Sequence, residues 1–501
     1  MAFGTKDGAT RINSEAENAA RAWIASGPKK LLIDGKWVPS LSGKTLDTVN
    51  PATGAHLATM AEGDRGDVDL AVAAAQRTLE SPAWGGISPH ARTRMLLRIA
   101  DAIDRHAEEL AIIDTLDNGM PTWFSMSVAP VAADIFRYYA GWTTKIFGST
   151  VPTDATNFIY TLKEPVGVCG AILPWNVPVM LAALKIAPAL ACGNTLVLKP
   201  SELASLSALR IAELIQETDL PPGALNIVTG YGQSVGDAIA THPLIEKVSF
   251  TGSTAVGRHI LQASAGNFKR VTLELGGKSP NIIFPDADID RAIEAAVNGF
   301  VRNSGQICSS GTRIFVHQDI HDEVAARIAA IAGSRKVGDP FASDTFLGPV
   351  ISQTQLERVL SYVDAGNEQG AQLMTGGKRL DQDGYFMTPT VFSGVTNDMK
   401  IAREEIFGPV TAIIPFKDES DAVFQGNEST YGLAAGIWTR DISRAHKVAR
   451  ALKAGRIWIN TYGETDPVMP FGGFKQSGLG REFGAESIET YTETKSIQIR
   501  F

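Results

Sequence analysis

With 501 residues, 44% of them hydrophobic and 20% charged, the chain has material for about three units of ordinary domain size, and it is neither disordered nor fibrous. A net charge of -8 with no basic stripe argues against a nucleic-acid surface. Cys169, Cys192 and Cys308 are too few and too scattered for a disulfide framework, and no metal-ligand spacing occurs among the His, Cys and acidic residues. Lys185 and Pro188 interrupt the longest apolar run, Val177 to Cys192, so no membrane span is expected. The N-terminal residues lack an apolar signal core and carry Asp7, Glu15 and Glu17; the expectation is a cytoplasmic protein.

Residues 1–27 read as an arm leading into a helix. Ile33 to Val38 reads as the first strand, turning at Asp34-Gly35. Asp67 to Leu79, Ala91 to Leu116 and Val131 to Trp142 follow as helices, and Thr150 to Glu164 as a strand or hairpin suited to association. From Val166 strands alternate with helices: strands at Val166 to Leu173, Thr195 to Leu198, Leu225 to Val228, Lys247 to Phe250 and Val271 to Leu275, with helices from Pro178 and over Ala204 to Thr218, Ser234 to Ala240 and Ala255 to Ala265. That alternation predicts a parallel sheet covered by helices, with ligands beyond the C-terminal strand ends. Those ends carry PWN (Pro174 to Asn176), KPSE (Lys199 to Glu202), TGSTAVG (Thr251 to Gly257) and ELGGK (Glu274 to Lys278).

A helix expected from about Asp286, whose side chain can cap it, presents Ile289, Ile293, Ala296, Val297 and Phe300 on one face and stops at Asn303 to Gly305. Cys308 then sits in a polar, small-residue loop before the strand Thr312 to Val316, a placement typical of reactive groups. A thiolate is a strong nucleophile once its pKa falls from about 8.5. After it a second α/β unit runs to about residue 475, with helices near His321 to Ala332 and Ser352 to Gly366, and the tail Ser487 to Phe501 alternates like an exposed strand.

The motifs PWNVP, KPSE, FTGS, LELGGKSP, GQIC, EEIFGP and PFGGFKQSG occur in this order, and together the chain resembles the aldehyde dehydrogenase superfamily from about residue 30 onward. The resemblance implies an α/β fold: a Rossmann-like parallel-sheet NAD-binding domain (28–145 and 165–276), an α/β catalytic domain (277–476), and β oligomerisation elements (146–164 and 487–501) that suit a homodimer or homotetramer. It implies Cys308 as nucleophile, Asn176 and the Cys308 N–H as donors to the alkoxide, Glu274 as the base that activates water, and Lys185 with Glu482 as a proton relay. Because relatives that pass the acyl group to coenzyme A lack the acid at 274, Glu274 favours the hydrolysing class.

The same resemblance assigns the cofactor to Pro174, Trp175, Lys199, Ser201, Glu202, Phe250, Gly252, Ser253, Gly276, Glu405 and Phe407. Glu202 would meet a 2'-phosphate with like charge, so NAD is expected over NADP, with Lys199 leaving weaker NADP use open. Val131, Val177, Leu184, Ile307, Glu464, Thr465 and Phe471 match or lie near the substrate tunnel. Small side chains at Val177, Leu184 and Thr465 suggest a bulky hydrophobic or aromatic aldehyde, while Glu464 and Asp466 leave a small polar or cationic aldehyde as the alternative. An acylating or esterase activity, or a binding role without catalysis, are further alternatives.

Overall fold

Apolar runs between residues 168 and 274 pack as neighbouring strands because helices cover both of their faces. The computed structural model describes residues 12–501. Arg270–Glu274, Lys247–Thr251, Val168–Ile172, Thr195–Lys199 and Leu225–Ile227 lie side by side in that order, all parallel. Val168–Ile172 and Thr195–Lys199 are buried at every position, as strands sandwiched by helices are. One face packs on the helices Pro89–Arg105, Ala107–Asn118, Thr122–Ala140, Pro178–Ala191 and Leu206–Gln216; the other packs on Arg65–Glu80, Asp237–Thr241 and Thr254–Ser264. Two antiparallel additions complete eight strands: the hairpin Leu31–Ile33 and Lys36–Val38, and Gly478–Leu479. Asp34 and Gly35 turn that hairpin at positive φ (54° and 72°).

A second sheet takes seven strands in the order Gln372–Thr375, Thr390–Ser393, Val410–Phe416, Arg313–His317, Pro280–Ile283, Ala434–Trp438 and Arg456–Ile459. Every neighbour is parallel except the first pair. A third sheet pairs Asn157–Pro165 with Thr492–Arg500 along nine positions, and with Thr150–Val151. It carries exposed Phe158, Leu162 and Ile499. Among the described residues no helix is long and apolar enough to cross a membrane.

Several expected boundaries move. The arm is described from residue 12, where it forms the helix Ser14–Ala25; residues 1–11 lie outside the described residues. Ala91 to Leu116 is two helices broken at His106, since the second, buried from Glu109 to Asn118, must turn inward. Val131 to Trp142 belongs to a longer helix, Thr122–Ala140, which runs through an outward-facing Pro130. Ser234 to Ala240 begins as a π-helical turn, Gly232–Gly236, and the tail opens with the short helix Glu486–Thr490 before its strand. The hairpin Thr45–Val49 and His56–Ala61 escaped the sequence reading. Asp286 does not cap the helix Ile289–Val301: Asp288 does, accepting from Arg291 N, while Asp286 accepts from Thr439 Oγ1, Arg440 N, Asp441 N and Arg444. It ties that helix's entry to the end of Ala434–Trp438.

The end of the helix Ala107–Asn118 supplies caps to two other helices. Asp117 accepts from Leu206 N (2.9 Å) and Thr48 Oγ1 (2.7 Å), and Asp114 from Val179 N (3.4 Å). Neither Pro178–Ala191 nor Leu206–Gln216 has a side-chain cap of its own. Burial pushes both carboxyls up to about 7. Folded protein therefore holds these protons where unfolded chain has released them, so their contribution to stability falls as pH rises from about 4 to about 7. Asp117→Asn keeps an acceptor for Leu206 N and removes the titration. Its melting temperature should fall less than the wild type's between about pH 4.5 and pH 7; an identical drop in both proteins would refute this.

Candidate active site

Cys308 is presented by a strained turn. The helix Ile289–Val301 gives way to Asn303, Ser304 and Gly305 at φ 48°, 53° and 73°, left-handed values that cost a non-glycine residue about 1–2 kcal/mol each. The turn persists because its polar groups are tied on all sides. Asn303 Nδ2 donates to Asn176 O (2.7 Å), Ser304 Oγ to Gly348 O (2.8 Å), and Ile351 N to Gln306 Oε1 (2.9 Å). Gly305 has no alternative, since a Cβ there would sit 2.1 Å from Gly408 O.

Asn176, on the loop beyond Val168–Ile172, donates from Nδ2 to Gln306 O (2.9 Å). An amide nitrogen carries two hydrogens, so one fixes the group while the other stays available to an oxygen formed beside Cys308. Asn118 holds the same loop by donating to Trp175 O (2.7 Å). Glu274 ends the strand Arg270–Glu274, is 3% exposed, and has no hydrogen-bond partner on either carboxylate oxygen among the described residues. Burial, then the neighbouring Glu482 carboxylate, pushes its pKa well above the usual range. Glu482 pairs with the buried Lys185 ammonium, which also reaches Thr251 Oγ1 (2.8 Å) and Ser249 Oγ (3.1 Å). The Cys308 thiol is pushed up to about 12, first by burial and then by the Glu405 and Glu274 carboxylates.

Two glycines of ELGGK let these elements meet. A Cβ on Gly276 would lie 2.3 Å from the Glu405 carboxylate, and one on Gly277 2.5 Å from Cys308 O. Gly277 N donates to Glu405 Oε1 (3.2 Å), and Ser477 Oγ bonds Gly276 O (2.7 Å). Burial raises the Glu405 carboxyl to about 7.

A single cavity of about 1020 Å³ connects these groups. Cys308, Glu274, Asn176 and Glu482 line it; Lys185 does not, standing behind Glu482. Pro174, Trp175, Lys199, Ser201, Glu202, Phe250, Gly252, Ser253, Gly276, Glu405 and Phe407 all line it. So do Val177, Leu184, Ile307, Thr465 and Phe471. Two tunnel expectations are corrected: Val131 is packed into the core on the helix Thr122–Ala140, and Glu464 is exposed, its carboxylate accepting from Thr461 Oγ1 (2.7 Å). The sequence reading missed Phe124, Tyr231, Arg302 and Tyr462. For Arg302 a signal existed: Asn298 and Arg302, four residues apart, lie off the apolar face that anchors their helix.

The strand-end groups fit a dinucleotide. Lys199 Nζ is pinned by Glu202 (2.9 Å) and Pro200 O (2.8 Å), leaving the Glu202 carboxylate, partly exposed in the cavity, as an acceptor for ribose hydroxyls. Ser253 caps the helix Thr254–Ser264, whose N-terminus faces the same space and suits phosphate. Phe407, held at φ 57°, meets the Trp175 ring edge-on at 5.6 Å, and the Trp175 Nε1–H has no partner among the described residues.

The sequence model of the aldehyde dehydrogenase family matches residues 37–497. An aldehyde dehydrogenase of Aspergillus niger is 48% identical over 94% of this chain and 95% of its own length, and one of Enchytraeus buchholzi is 48% identical with the same coverage. The NAD+ complex of aldehyde dehydrogenase from Bacillus cereus superposes with a TM-score of 0.95 at 44% identity, covering 98% of this chain and 99% of that one. Betaine aldehyde dehydrogenase from Staphylococcus aureus, in complex with NAD+, gives 0.95 at 39% identity, covering 97% of each.

Gly277→Ala forces its methyl against the Cys308 carbonyl, backbone that cannot swing aside. A loss of about 1–3 kcal/mol in stability and a changed rate of Cys308 alkylation by iodoacetamide are expected. Gly232→Ala, whose Cβ meets nothing within 4 Å, is the stability control. Wild-type stability and alkylation rate in Gly277→Ala would show that the close approach is not binding on the loop.

Proposed function

The chain belongs to the aldehyde dehydrogenase family and is an NAD-dependent aldehyde dehydrogenase, and on that footing we propose that Cys308 carries the oxidation through a covalent thioester hydrolysed with Glu274. The observation that carries this reading is the grouping of Cys308, a tethered Asn176 and an unpartnered Glu274 on one cavity. Cys308 Sγ attacks the aldehyde carbon, and the oxygen becomes an alkoxide facing the free Asn176 Nδ2 hydrogen and the Cys308 N–H. NAD, held by Lys199, Glu202, Ser253 and Glu405, supplies the hydride acceptor when bound. Collapse of the adduct leaves a thioester on Cys308. Glu274 takes a proton from water, the hydroxide attacks the thioester, and the carboxylic acid leaves. Glu482 and Lys185, paired behind Glu274, receive the proton.

The two sheets divide the labour in this reading: residues 28–145 and 165–276 bind NAD, 277–476 carry the thiol, and 146–164 with 487–501 form an arm for a homodimer or homotetramer. Exposed Phe158, Leu162 and Ile499 support the arm. Three free thiols, two of them buried, are in keeping with a cytoplasmic setting. The tunnel walls, Val177, Leu184, Ile307 and Phe124, favour a bulky hydrophobic or aromatic aldehyde. The likeness to betaine aldehyde dehydrogenase supports a small polar aldehyde as the second reading; Arg302 on the cavity wall weighs against a cationic one.

Cys308→Ala should abolish NADH formation with every aldehyde. Asn176→Ala should lower kcat about 10²- to 10³-fold. Glu274→Gln should slow turnover about 10²- to 10⁴-fold while keeping a single rapid burst of NADH, because acylation outruns hydrolysis. Since burial raises both Cys308 and Glu274, and each acts deprotonated, kcat should climb from neutral into alkaline pH. Turnover surviving Cys308→Ala, or falling with rising pH, would refute the scheme.

A further inference from the structure

The strand Lys247–Thr251 lies in the middle of a parallel sheet covered by helices, where both faces of a strand are ordinarily apolar. One face conforms, since Val248 and Phe250 join the core. The other carries Lys247, Ser249 and Thr251 at alternate positions, with Lys247 0% and Ser249 1% exposed. Burying such groups is unfavourable unless each is bonded. Lys247 Nζ donates to Thr272 Oγ1 (2.6 Å) and lies 4.5 Å from the centroid of the Tyr491 ring. Lys185, on the helix Pro178–Ala191, directs its three N–H donors to Glu482 Oε1, Ser249 Oγ (3.1 Å) and Thr251 Oγ1 (2.8 Å). Ser249 Oγ gives its one hydrogen to Glu482 Oε1 (2.9 Å). Oε1 of Glu482 therefore takes two hydrogen bonds, and Oε2 takes none among the described residues. Thr251 pairs in register with Glu274 on the neighbouring strand, so this polar row ends beside the acid.

The last torsion of a glutamate is broad, so a carboxylate held by an ammonium alone can turn and offer either oxygen; a second donor in a fixed place removes that choice. We propose that Ser249 is a positioning residue for thioester hydrolysis: by fixing Oε1 of Glu482, it leaves Oε2 as the oxygen that takes the proton from Glu274. This rests on the reading of Cys308 and Glu274 as nucleophile and base. In the step the O–H bond on Glu274 breaks and one forms on Glu482 Oε2, while Ser249 keeps its own proton. Glu274 is returned as a carboxylate, and Glu482, which lines the cavity, releases the proton to water there. Acylation and hydride transfer employ Cys308, Asn176 and NAD and do not draw on Ser249.

The test gives the full-length enzyme NAD and benzaldehyde and follows the acyl group on Cys308 by intact-mass spectrometry of quenched samples. In Ser249→Ala the buried Lys185 ammonium keeps two acceptors, Glu482 and Thr251. Its acyl-enzyme should decay about tenfold more slowly than the wild type's, or slower still. kcat and KM should fall together, while kcat/KM, set by the steps up to hydride transfer, stays within about threefold. Ser249→Thr keeps the hydroxyl and should decay faster than Ser249→Ala. Added to Glu482→Gln, Ser249→Ala should slow decay no further, because it acts through that carboxylate. Decay at the wild-type rate in Ser249→Ala, an equal loss in kcat/KM, a Ser249→Thr no faster than Ser249→Ala, or a full further loss in the double variant would each overturn the proposal. Glu274→Gln, which should acylate and then stall, separates the two readings. No adduct on Cys308 even there would overturn the thioester reading and the role of Ser249 with it. An adduct that forms, and decays equally with and without Ser249, would overturn the role of Ser249 alone.

Discussion

The site depends on a reciprocal clasp between two loops. Asn176 receives a hydrogen bond on its backbone oxygen from the Asn303 side chain and gives one from its own side chain to Gln306 O. Asn176 follows a strand of the eight-stranded sheet, whereas Asn303 and Gln306 lead into a strand of the seven-stranded one. Three consecutive left-handed residues would relax if they were not held, and the bonds that hold them also fix where the thiol and the amide stand. Backbone strain and the relative placement of the sheets are thus a single constraint.

Charge placement follows from that geometry. The Glu274 and Glu405 carboxylates stand so close to Cys308, across glycines that admit no Cβ, that both add to burial in raising the cost of ionising the thiol. The Lys185 ammonium sits one layer behind, matched to Glu482, and partly offsets the charge on Glu274. A site built in this way holds its protons at rest and releases them when a developing oxyanion or an arriving positive charge shifts the balance.

Much of this was legible in the sequence, and the limits have physical causes. Strand ends could be recognised because buried parallel strands read as apolar runs closed by polar or glycine-rich turns; Lys199, Thr251 and Glu274 end their strands where the motifs predicted. Cys308 could be placed between helix and strand from periodicity alone. Periodicity places Phe124 and Val131, seven residues apart, on one face of their helix, and it could not tell which of the two reaches the cavity: Val131 goes into the core, and the cavity wall comes from Phe124. Asp286 and Asp288 are both competent caps, and only the arrival of Thr439 and Arg444 decides between them. Glu464 is claimed by Thr461, a local bond that the spacing of motifs does not reveal.

The strand Asn157–Pro165 finds its long partner only in Thr492–Arg500, with Asn157 and Gln498 bonded across 341 residues of chain. Gly478–Leu479 likewise closes the edge of the sheet that ends in Glu274. During synthesis both edges stand open while everything between them is made, an interval of tens of seconds at about 5–20 residues per second. An unpaired strand carrying Phe158 and Leu162 is then a template for pairing with another nascent chain. Yield in a cell should thus depend on how long that edge is kept from its neighbours, so a chaperone's holding time matters as much as the stability of the finished fold.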